Sequence, residues 1–235
     1  MLIRYNKKQE VVKPSLNYSI SAIIVCVDFD DFLAETLPYT KNFADNIYII
    51  TADDDLVTQK LCKKEKVYCL KTPRTKPQFQ RGKYINYGFD EIPKNGYFVI
   101  SDADTVIPMG SRQKVENMSL NKNSLYGTQR KECDSYEQWK QYKDFGIESE
   151  LYFRRASHMG FFQMFHTDFF KDKNFLRYPD DTEIYIRKDK IKGGSFVFSR
   201  QFETRIKMPF CPIVLNNVEN LGQNREGRTT KRFGE

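Results

Sequence analysis

No run of apolar residues in this sequence approaches the roughly 18 that a membrane-spanning helix requires. The opening segment, residues 1–13, also lacks the apolar stretch of a secretory signal. From these two absences we expect a soluble chain without a membrane span, located in the cytoplasm.

The sequence is also poor in the side chains that bind zinc. Its five cysteines are scattered at positions 26, 62, 69, 133 and 211, without a CxxC or CxxxH spacing. The two histidines, His158 and His166, are too few for a histidine-rich metal centre. These absences argue against a zinc site. We expect both histidines to be ordinary polar residues of a sheet or loop.

The residues that are present describe a globular domain with a basic surface. The 235 residues are 40% hydrophobic and 14% aromatic, which is enough to build a buried core. The net charge of +7 raises the encounter rate with an anionic partner, such as a nucleotide, a nucleic acid or a membrane surface. Charge alone does not distinguish these partners from a solvated basic surface.

Strands alternate with helices over the first 105 residues, which predicts an α/β fold with a mainly parallel sheet. The predicted strands span residues 19–27, 46–51, 67–70 and 96–101, and the predicted helices span 28–39, 56–66 and 80–91. After Pro108 the pattern changes to a helix over 111–123, a polar stretch to Glu150, and strands over 160–166 and 194–198. We expect one compact domain over 1–235, with a nucleotide-binding half (19–108) and an acceptor half (109–235).

Acidic residues follow three of the predicted strands directly: Asp28, Asp53 and Asp102. Ligands of parallel sheets bind outside the carboxyl ends of the strands, so these positions predict a site. The strongest signal is Asp102-Ala103-Asp104, because two carboxylates one residue apart can share Mg²⁺ or Mn²⁺. The alternative interpretation of this triplet is a turn or a helix cap.

Longer runs of this sequence resemble the GT-A glycosyltransferases, especially their compact bacterial and viral members. The resemblance lies in IIVCVDFDDFLAETLPY, IYIITADDD, RGKYINYGFDEIPKNGYFVISDADTVIP, GFFQMFH and NLGQNREGRTTKRF, which together span most of residues 20–233. It implies a mixed, mainly parallel sheet flanked by helices. It also implies a metal-dependent transfer from a nucleotide-sugar, in the host cytoplasm if the source is a virus.

The resemblance also assigns roles to individual residues. Asp104 is expected to ligate the metal, and Asp102 to hold the ribose or a metal-bound water. The residues expected to contact the nucleotide base or ribose are Val27, Asp28 and Asp53. Those expected to face the diphosphate or the sugar are Arg81, Lys83 and Asn86, with Arg225 and Arg228 closing over the diphosphate from the C-terminal segment.

Two positions depart from the family's pattern. Asn220 stands where the family has a metal-binding histidine, and an asparagine oxygen is a weaker ligand that still suits Mg²⁺ or Mn²⁺. Phe196 stands where an acid is expected to act as catalytic base. Asp180 and Asp181 are the nearest substitutes, and their alternative role is a turn and helix cap after Pro179. If neither is the base, the enzyme is retaining or inactive.

Aromatic residues of the second half can stack on a ligand or fill the core. We expect core positions for Phe161, Phe162, Phe165 and Tyr178. Trp139 lies in the polar run SYEQWKQYKD and is the best candidate among them for an exposed stacking platform.

Three functions remain open at this point. The first is sugar transfer, from a UDP-sugar as the favoured donor, to a hydroxyl of a glycan, a lipid-linked sugar or a hydroxylated DNA base. The second is nucleotidyl transfer, which usually needs a glycine-rich phosphate loop after the first strand, whereas this chain has VCVDFDDF there. The third is a non-catalytic nucleic-acid-binding protein with a degenerate glycosyltransferase fold, which leaves the acids at the strand ends unexplained.

Overall fold

The strand–helix alternation expected for the first half is present in the computed structural model. The structure describes residues 18–75, 80–133, 135–148, 151–154, 161–171, 177–179, 185–187, 190–192, 198–202 and 204–215. The first half contains β1 (Ser19–Val25), α1 (Asp30–Phe43), β2 (Asn46–Ala52), α2 (Leu56–Glu65), β3 (Tyr68–Thr72), α3 (Arg81–Glu91) and β4 (Gly96–Asp102). The predicted elements are thus confirmed, with ends that shift by up to four residues.

The second half contributes shorter elements. They are β5 (Thr105–Val106), α4 (Ser111–Glu116), β6 (Ser124–Gly127), β7 (Arg130–Glu132), α5 (Tyr136–Phe145), β8 (Tyr152–Arg154), β9 (Phe162–His166), a 3-10 helix (Thr167–Lys171), β10 (Tyr185–Arg187), β11 (Lys190–Lys192), β12 (Thr204–Lys207) and β13 (Ile213–Val214). Among the described residues, no helix is both long and apolar enough to cross a bilayer.

Seven strands form the main sheet in the order β12-β6-β9-β4-β1-β2-β3. The strand β9 runs antiparallel to β4 and β6, while the other neighbouring pairs are parallel. The chain moves from β1 outward through β2 and β3, then returns to place β4 on the other side of β1. The strand order therefore reverses between β1 and β4, and the carboxyl ends of these two strands flank a switch point.

Strand β1 is apolar on both faces, because helices cover both sides of the sheet. Ile20, Ala22 and Ile24 pack in the cluster that contains residues of α1 and α2. Ile23 and Val25 pack in the cluster that contains Tyr84, Ile85 and Phe89 of α3. The mixed, mainly parallel sheet flanked by helices that the sequence predicts is confirmed.

A second, four-stranded sheet has the order β5-β13-β7-β8 and continues directly from the end of β4 through β5. Its core includes Phe32, Val106, Trp139, Ile213 and Leu215. Strands β10 and β11 pair separately as an antiparallel two-stranded sheet.

The predicted exposure of Trp139 is wrong. Its side chain is fully buried, and its indole N–H donates to Oε2 of Glu35 at 2.9 Å. The ring also contacts Tyr39 and Tyr142, with centroids 5.8 and 5.7 Å away. The polar neighbours of Trp139 in the sequence lie on the other faces of α5. The hydrophilic composition of this run therefore gave no sign that one face of the helix is buried. By contrast, the core positions expected for Phe161, Phe162, Phe165 and Tyr178 are confirmed.

The predicted helix over 111–123 ends at Glu116, seven residues early. Asn121 offers the backbone an alternative to helix, since its Oδ1 accepts the N–H of Asn123 at 2.8 Å. The hydroxyl of Tyr126 donates to the Asn121 carbonyl at 3.1 Å and fixes this turn. The predicted strand over 194–198 lies outside the described residues apart from the buried Phe198.

Candidate functional site

Two of the predicted acids, Asp28 and Asp102, stand at the ends of neighbouring strands that flank the switch point between β1 and β4. Val25 of β1 pairs with Asp102 of β4, so Asp28 and Asp104 follow from adjacent strand ends. The side chain of Asp102 is 36% exposed, and Asp104 is half-buried. Both side chains are therefore partly exposed, neither fully buried nor fully solvated.

The backbone of the Asp102–Asp104 turn is fixed by hydrogen bonds from three other parts of the chain. The Asp102 N–H donates to the Phe161 carbonyl at 3.2 Å. The hydroxyl of Thr36 in α1 donates to the Ala103 carbonyl at 2.7 Å, and the N–H of Leu215 donates to the Asp104 carbonyl at 2.8 Å. These bonds hold the turn without using either carboxylate.

Arg81, the first residue of α3, lies against the first of these acids. Its Nη2 is 2.6 Å from Oδ1 of Asp102, and its Nη1 donates to the Tyr178 hydroxyl at 2.7 Å. The Arg81 side chain is only 11% exposed. A charge-assisted bond in this partly dry setting is stronger than one at the surface.

Asn86, one turn and a half further along α3, faces the backbone of Tyr178. Its Oδ1 accepts the Tyr178 N–H and its Nδ2 donates to the Tyr178 carbonyl, both at 2.8 Å. The amide thus pairs with both polar groups of one residue.

Arg74 follows β3 and links two acids of the same sheet edge. Its Nη1 and Nη2 lie 2.7 and 3.1 Å from the two carboxylate oxygens of Asp28, and its Nε lies 2.8 Å from Asp54. The hydrogen bonds that Arg74 donates to Asp28 raise the pKa of its guanidinium above its usual range. Asp28 and Arg74 therefore form a two-bond ion pair at the carboxyl ends of the strands.

Asp28 itself is held in an unusual backbone conformation, with φ of 60°. Its N–H donates to Oδ2 of Asp55 at 2.9 Å. The buried Asp55 carboxylate also accepts the Thr51 hydroxyl and caps α2 through the Thr58 N–H. The cap of α2 and the orientation of Asp28 thus depend on one side chain.

No family model and no curated protein matches the chain. GalNAc-T7 in complex with UDP, GalNAc and Mn²⁺ superposes with a TM-score of 0.57 at 12% identity, over 86% of this chain and 44% of that one. The mannosyltransferase PcManGT from Pyrobaculum calidifontis, in complex with GDP-Man and Mn²⁺, gives 0.55 at 9% identity, over 88% and 60%.

The chain has a GT-A fold. It spans 60% and 44% of the lengths of these two glycosyltransferases. An inositol-1-phosphate CTP transferase from T. maritima also superposes, with a TM-score of 0.51 at 8% identity, over 88% of this chain and 93% of that one. The GT-A fold therefore fits the resemblance seen in the sequence, and it is shared with a nucleotidyltransferase.

The carboxylates at the switch point of this GT-A fold fit a hard divalent cation. Among the described residues, no group of three or more His, Cys, Asp or Glu side chains is placed to hold a metal. A Mg²⁺-type site needs only one or two carboxylates, because water and substrate phosphates supply the remaining oxygens. Asp102 and Asp104 could provide those two carboxylates, and Arg81 already pairs with Oδ1 of Asp102.

The other predicted site residues are distributed unevenly in the GT-A fold. Val27 is buried in the core beside the site, whereas Asp53 and Lys83 are exposed. Asp53 is placed by its N–H, which donates to the Thr72 carbonyl at 3.0 Å. The predicted residues that lie outside the described part of the chain are Asp180, Asp181, Phe196, Asn220, Arg225 and Arg228.

Two residues of the site were not predicted from the sequence. Arg74 follows a strand of the parallel sheet, so the rule that selected Asp28 also selects Arg74 when it is applied to basic residues. Tyr178 was expected in the core but not as a partner of Arg81. No local pattern reveals that contact, because 97 residues separate the two positions.

A cavity of about 1390 Å³ opens at the opposite edge of the GT-A fold, where β1 and β4 begin. Its lining includes Ser19 and Gly96, the first residues of these strands. Arg112, which also lines it, is paired with Asp45 and Glu116. The charged side chains that line the cavity are balanced in ion pairs, and the acids of the switch point do not line the cavity.

Proposed function

We propose that this protein transfers a sugar from a nucleoside diphosphate sugar to a hydroxyl acceptor, with Mn²⁺ or Mg²⁺ as cofactor. The observation that carries the proposal is the pair Asp102 and Asp104 at the switch point, with the Arg81 guanidinium beside it. When bound there, the cation neutralises charge on the departing diphosphate. Asp104 would hold that cation, and Asp102 would hold the cation, a metal-bound water or the ribose.

The favoured donor is a UDP-sugar, and the support comes from Asp28 and Arg74. Side by side, they offer a hydrogen-bond acceptor and a donor. Uracil presents the complementary edge, an N–H beside a carbonyl, and guanine has the same arrangement. With Asp28 facing the ring N–H of uracil, cytosine in the same pose would place its ring-nitrogen acceptor against the carboxylate, and this pose disfavours cytosine. Val27 and Asp53 complete the nucleoside contacts in this proposal.

The diphosphate and sugar contacts are assigned to basic and polar residues around the turn. Arg81 lies at the site, with Lys83 exposed on the same helix. We assign Arg225 and Arg228 to closure over the diphosphate and Asn220 to the metal, on the resemblance alone.

Asp180 or Asp181 is proposed as the base that takes the proton of the acceptor hydroxyl. The support is their position in the chain, since Tyr178 contacts Arg81 at the site.

The enzyme assay tests the reaction type. Purified protein is incubated with a panel of UDP- and GDP-sugars and with an acceptor mixture, with and without Mn²⁺, and the released nucleotide is measured. We expect UDP release that depends on Mn²⁺. If no sugar nucleotide yields a nucleoside diphosphate under any of these conditions, the proposal is wrong.

Nucleotidyl transfer is the second candidate, because the fold likeness covers 93% of the CTP transferase chain. That reaction releases pyrophosphate from a nucleoside triphosphate in the presence of a sugar phosphate. Pyrophosphate detection in a parallel incubation with CTP or UTP therefore separates the two functions.

The acceptor is proposed as a glycan or a hydroxylated base in DNA. The net charge of +7 supports an anionic acceptor such as DNA through counterion release. Filter binding of duplex DNA across a salt series tests this choice. Affinity that falls steeply with salt favours DNA, and no affinity at low salt leaves the glycan as acceptor.

A further inference from the structure

The segment 177–179 is held against α3 by side chains along the length of that helix. Nη1 of Arg177 lies 3.0 Å from Oδ2 of Asp90, near the end of α3. Asn86 binds the backbone of Tyr178 in the middle of the helix, and Arg81 meets the Tyr178 hydroxyl at its start. The segment therefore runs along α3 toward the acidic turn.

Asn86 fixes the backbone of this segment. An amide side chain has one carbonyl acceptor and an NH₂ donor, which match the N–H and C=O of one peptide residue. Both bonds to Tyr178 are 2.8 Å long. Gln201 adds a third bond, from its Nε2 to the Arg177 carbonyl at 2.9 Å. Asn86 therefore acts on the site through Tyr178.

The Tyr178 ring is fixed as firmly as its backbone. It is 2% exposed and stacks on Phe198, with centroids 4.9 Å apart and an interplanar angle of 27°. The Arg81 guanidinium carbon lies 5.3 Å from the ring centroid, within range of a cation–π contact. The ring and the hydroxyl thus hold the same guanidinium that contacts Asp102.

We propose that Tyr178, whose backbone is fixed by Asn86, is a positioning residue. Its hydroxyl binds one terminal nitrogen of Arg81 while the other binds Asp102. This arrangement limits the competition between Arg81 and the cation for the Asp102 carboxylate. This inference rests on the proposed function, since it assumes a cation–nucleotide complex at Asp102. At present one terminal nitrogen of Arg81 faces the hydroxyl and the other faces Oδ1 of Asp102. Without the hydroxyl, a guanidinium that is only 11% exposed loses one acceptor and turns further onto Asp102.

The variant Tyr178→Phe tests this arrangement, because it removes the hydroxyl and keeps the ring on Phe198. Mn²⁺ is titrated calorimetrically into protein saturated with UDP, and the apparent Kd for Mn²⁺ is measured. We expect Mn²⁺ to bind about tenfold more weakly, the effect of one hydrogen bond. The affinity for UDP without Mn²⁺ and the melting temperature remain close to those of the parent protein.

Two further variants complete the test. Tyr126→Phe is the matched control, since Tyr126 is also a buried tyrosine with a hydrogen-bonded hydroxyl, remote from Asp102, and its loss leaves the Mn²⁺ affinity unchanged. Asn86→Ala releases the backbone of Tyr178 and weakens Mn²⁺ binding in the same direction, and it decides the matter if Tyr178→Phe unfolds. If the parent protein, Tyr178→Phe and Asn86→Ala bind Mn²⁺ with equal affinity, the role of Tyr178 is refuted while the proposed function is unaffected. Absence of Mn²⁺-dependent UDP binding in the parent protein contradicts the proposed function itself.

Discussion

Asp104 carries the most direct consequence of the account at the scale of single residues. If its carboxylate binds the cation, Asp104→Ala lowers the transfer rate by at least about a hundredfold, because charge on the leaving diphosphate is no longer neutralised. The melting temperature without ligand changes little, since the side chain is half-buried at the surface. Both are measured on purified protein, by nucleotide release and by thermal denaturation.

The matched control for Asp104→Ala is Asp144→Ala, which removes an exposed carboxylate of α5. It keeps the parent rate. Full turnover of Asp104→Ala with Mn²⁺ refutes the metal role of Asp104.

Asp28 determines the choice of base in this account. Asp28→Asn replaces an acceptor by an amide that can also donate, so UDP is bound about tenfold more weakly and CDP gains relative to UDP. Competition binding of UDP and CDP measures the change. Asp54→Asn is the control, because Asp54 contacts Nε of Arg74 and leaves the Asp28 pair in place. An unchanged preference in Asp28→Asn means that Asp28 does not contact the base.

At the scale of elements, the tight approach of α3 to the sheet depends on Gly88. A Cβ placed there lies 2.4 Å from Cδ1 of Ile50 and 3.4 Å from Cγ2 of Ile23. Gly88→Ala gains about 1 kcal/mol of helix propensity, but overpacking a core costs about 1–3 kcal/mol. We expect a net loss of up to about 2 kcal/mol, measured by urea denaturation.

Ile50→Val shortens the side chain that the new Cβ meets. The double variant Gly88→Ala with Ile50→Val is therefore more stable than the sum of the two single changes predicts. Simple additivity would show that the clash with Ile50 is not the cause.

The elements of the first half were predictable because local pattern and tertiary role agree there. Strand β1 packs against apolar clusters on both faces of the sheet, and this burial on both sides explains the continuous apolar run in its sequence. The helix over 111–123 was overextended because the turn at Asn121 depends on the hydroxyl of Tyr126 from the next strand. Trp139 was misplaced because its partner Glu35 lies 104 residues away.

At the scale of the whole molecule, the sequence predicted which acids follow neighbouring strands of the sheet, but not the contacts that these acids make. Asp28 and Asp102 were found by the rule that ligands meet the carboxyl ends of parallel strands, which needs only the strand positions. The links from Arg74 to Asp28 and from Arg81 to Tyr178 cross 46 and 97 residues. Such contacts depend on the packing of the complete sheet, and no spacing in the sequence encodes them.

The stability of the whole fold should depend on pH through His166. Burial lowers the pKa of this imidazole, and its Nδ1 accepts the Asp168 N–H at 3.1 Å, which requires the neutral form. The nearby Asp168 carboxylate acts in the opposite direction but is the smaller effect. Because the folded pKa lies below the unfolded value of about 6.5, the unfolded state binds the proton more readily. Stability is complete above that value and falls as the pH drops through it.

Urea denaturation at a series of pH values from 7.5 to 5.5 measures this effect. We expect the midpoint to fall with pH in the parent protein and to fall less in His166→Gln. Most carboxylates stay ionised over this range, so they contribute little to the slope. An identical slope in both proteins would assign the effect to other groups.

The central claim is that a divalent cation binds between a diphosphate and the acids at the β1–β4 switch point. A crystal grown with UDP and Mn²⁺ tests it most directly, because the anomalous scattering of manganese locates the ion. The account predicts a peak about 2 Å from a carboxylate oxygen of Asp104, bridged to the diphosphate of UDP. Manganese bound elsewhere with UDP, for example in the cavity where β1 and β4 begin, would contradict it.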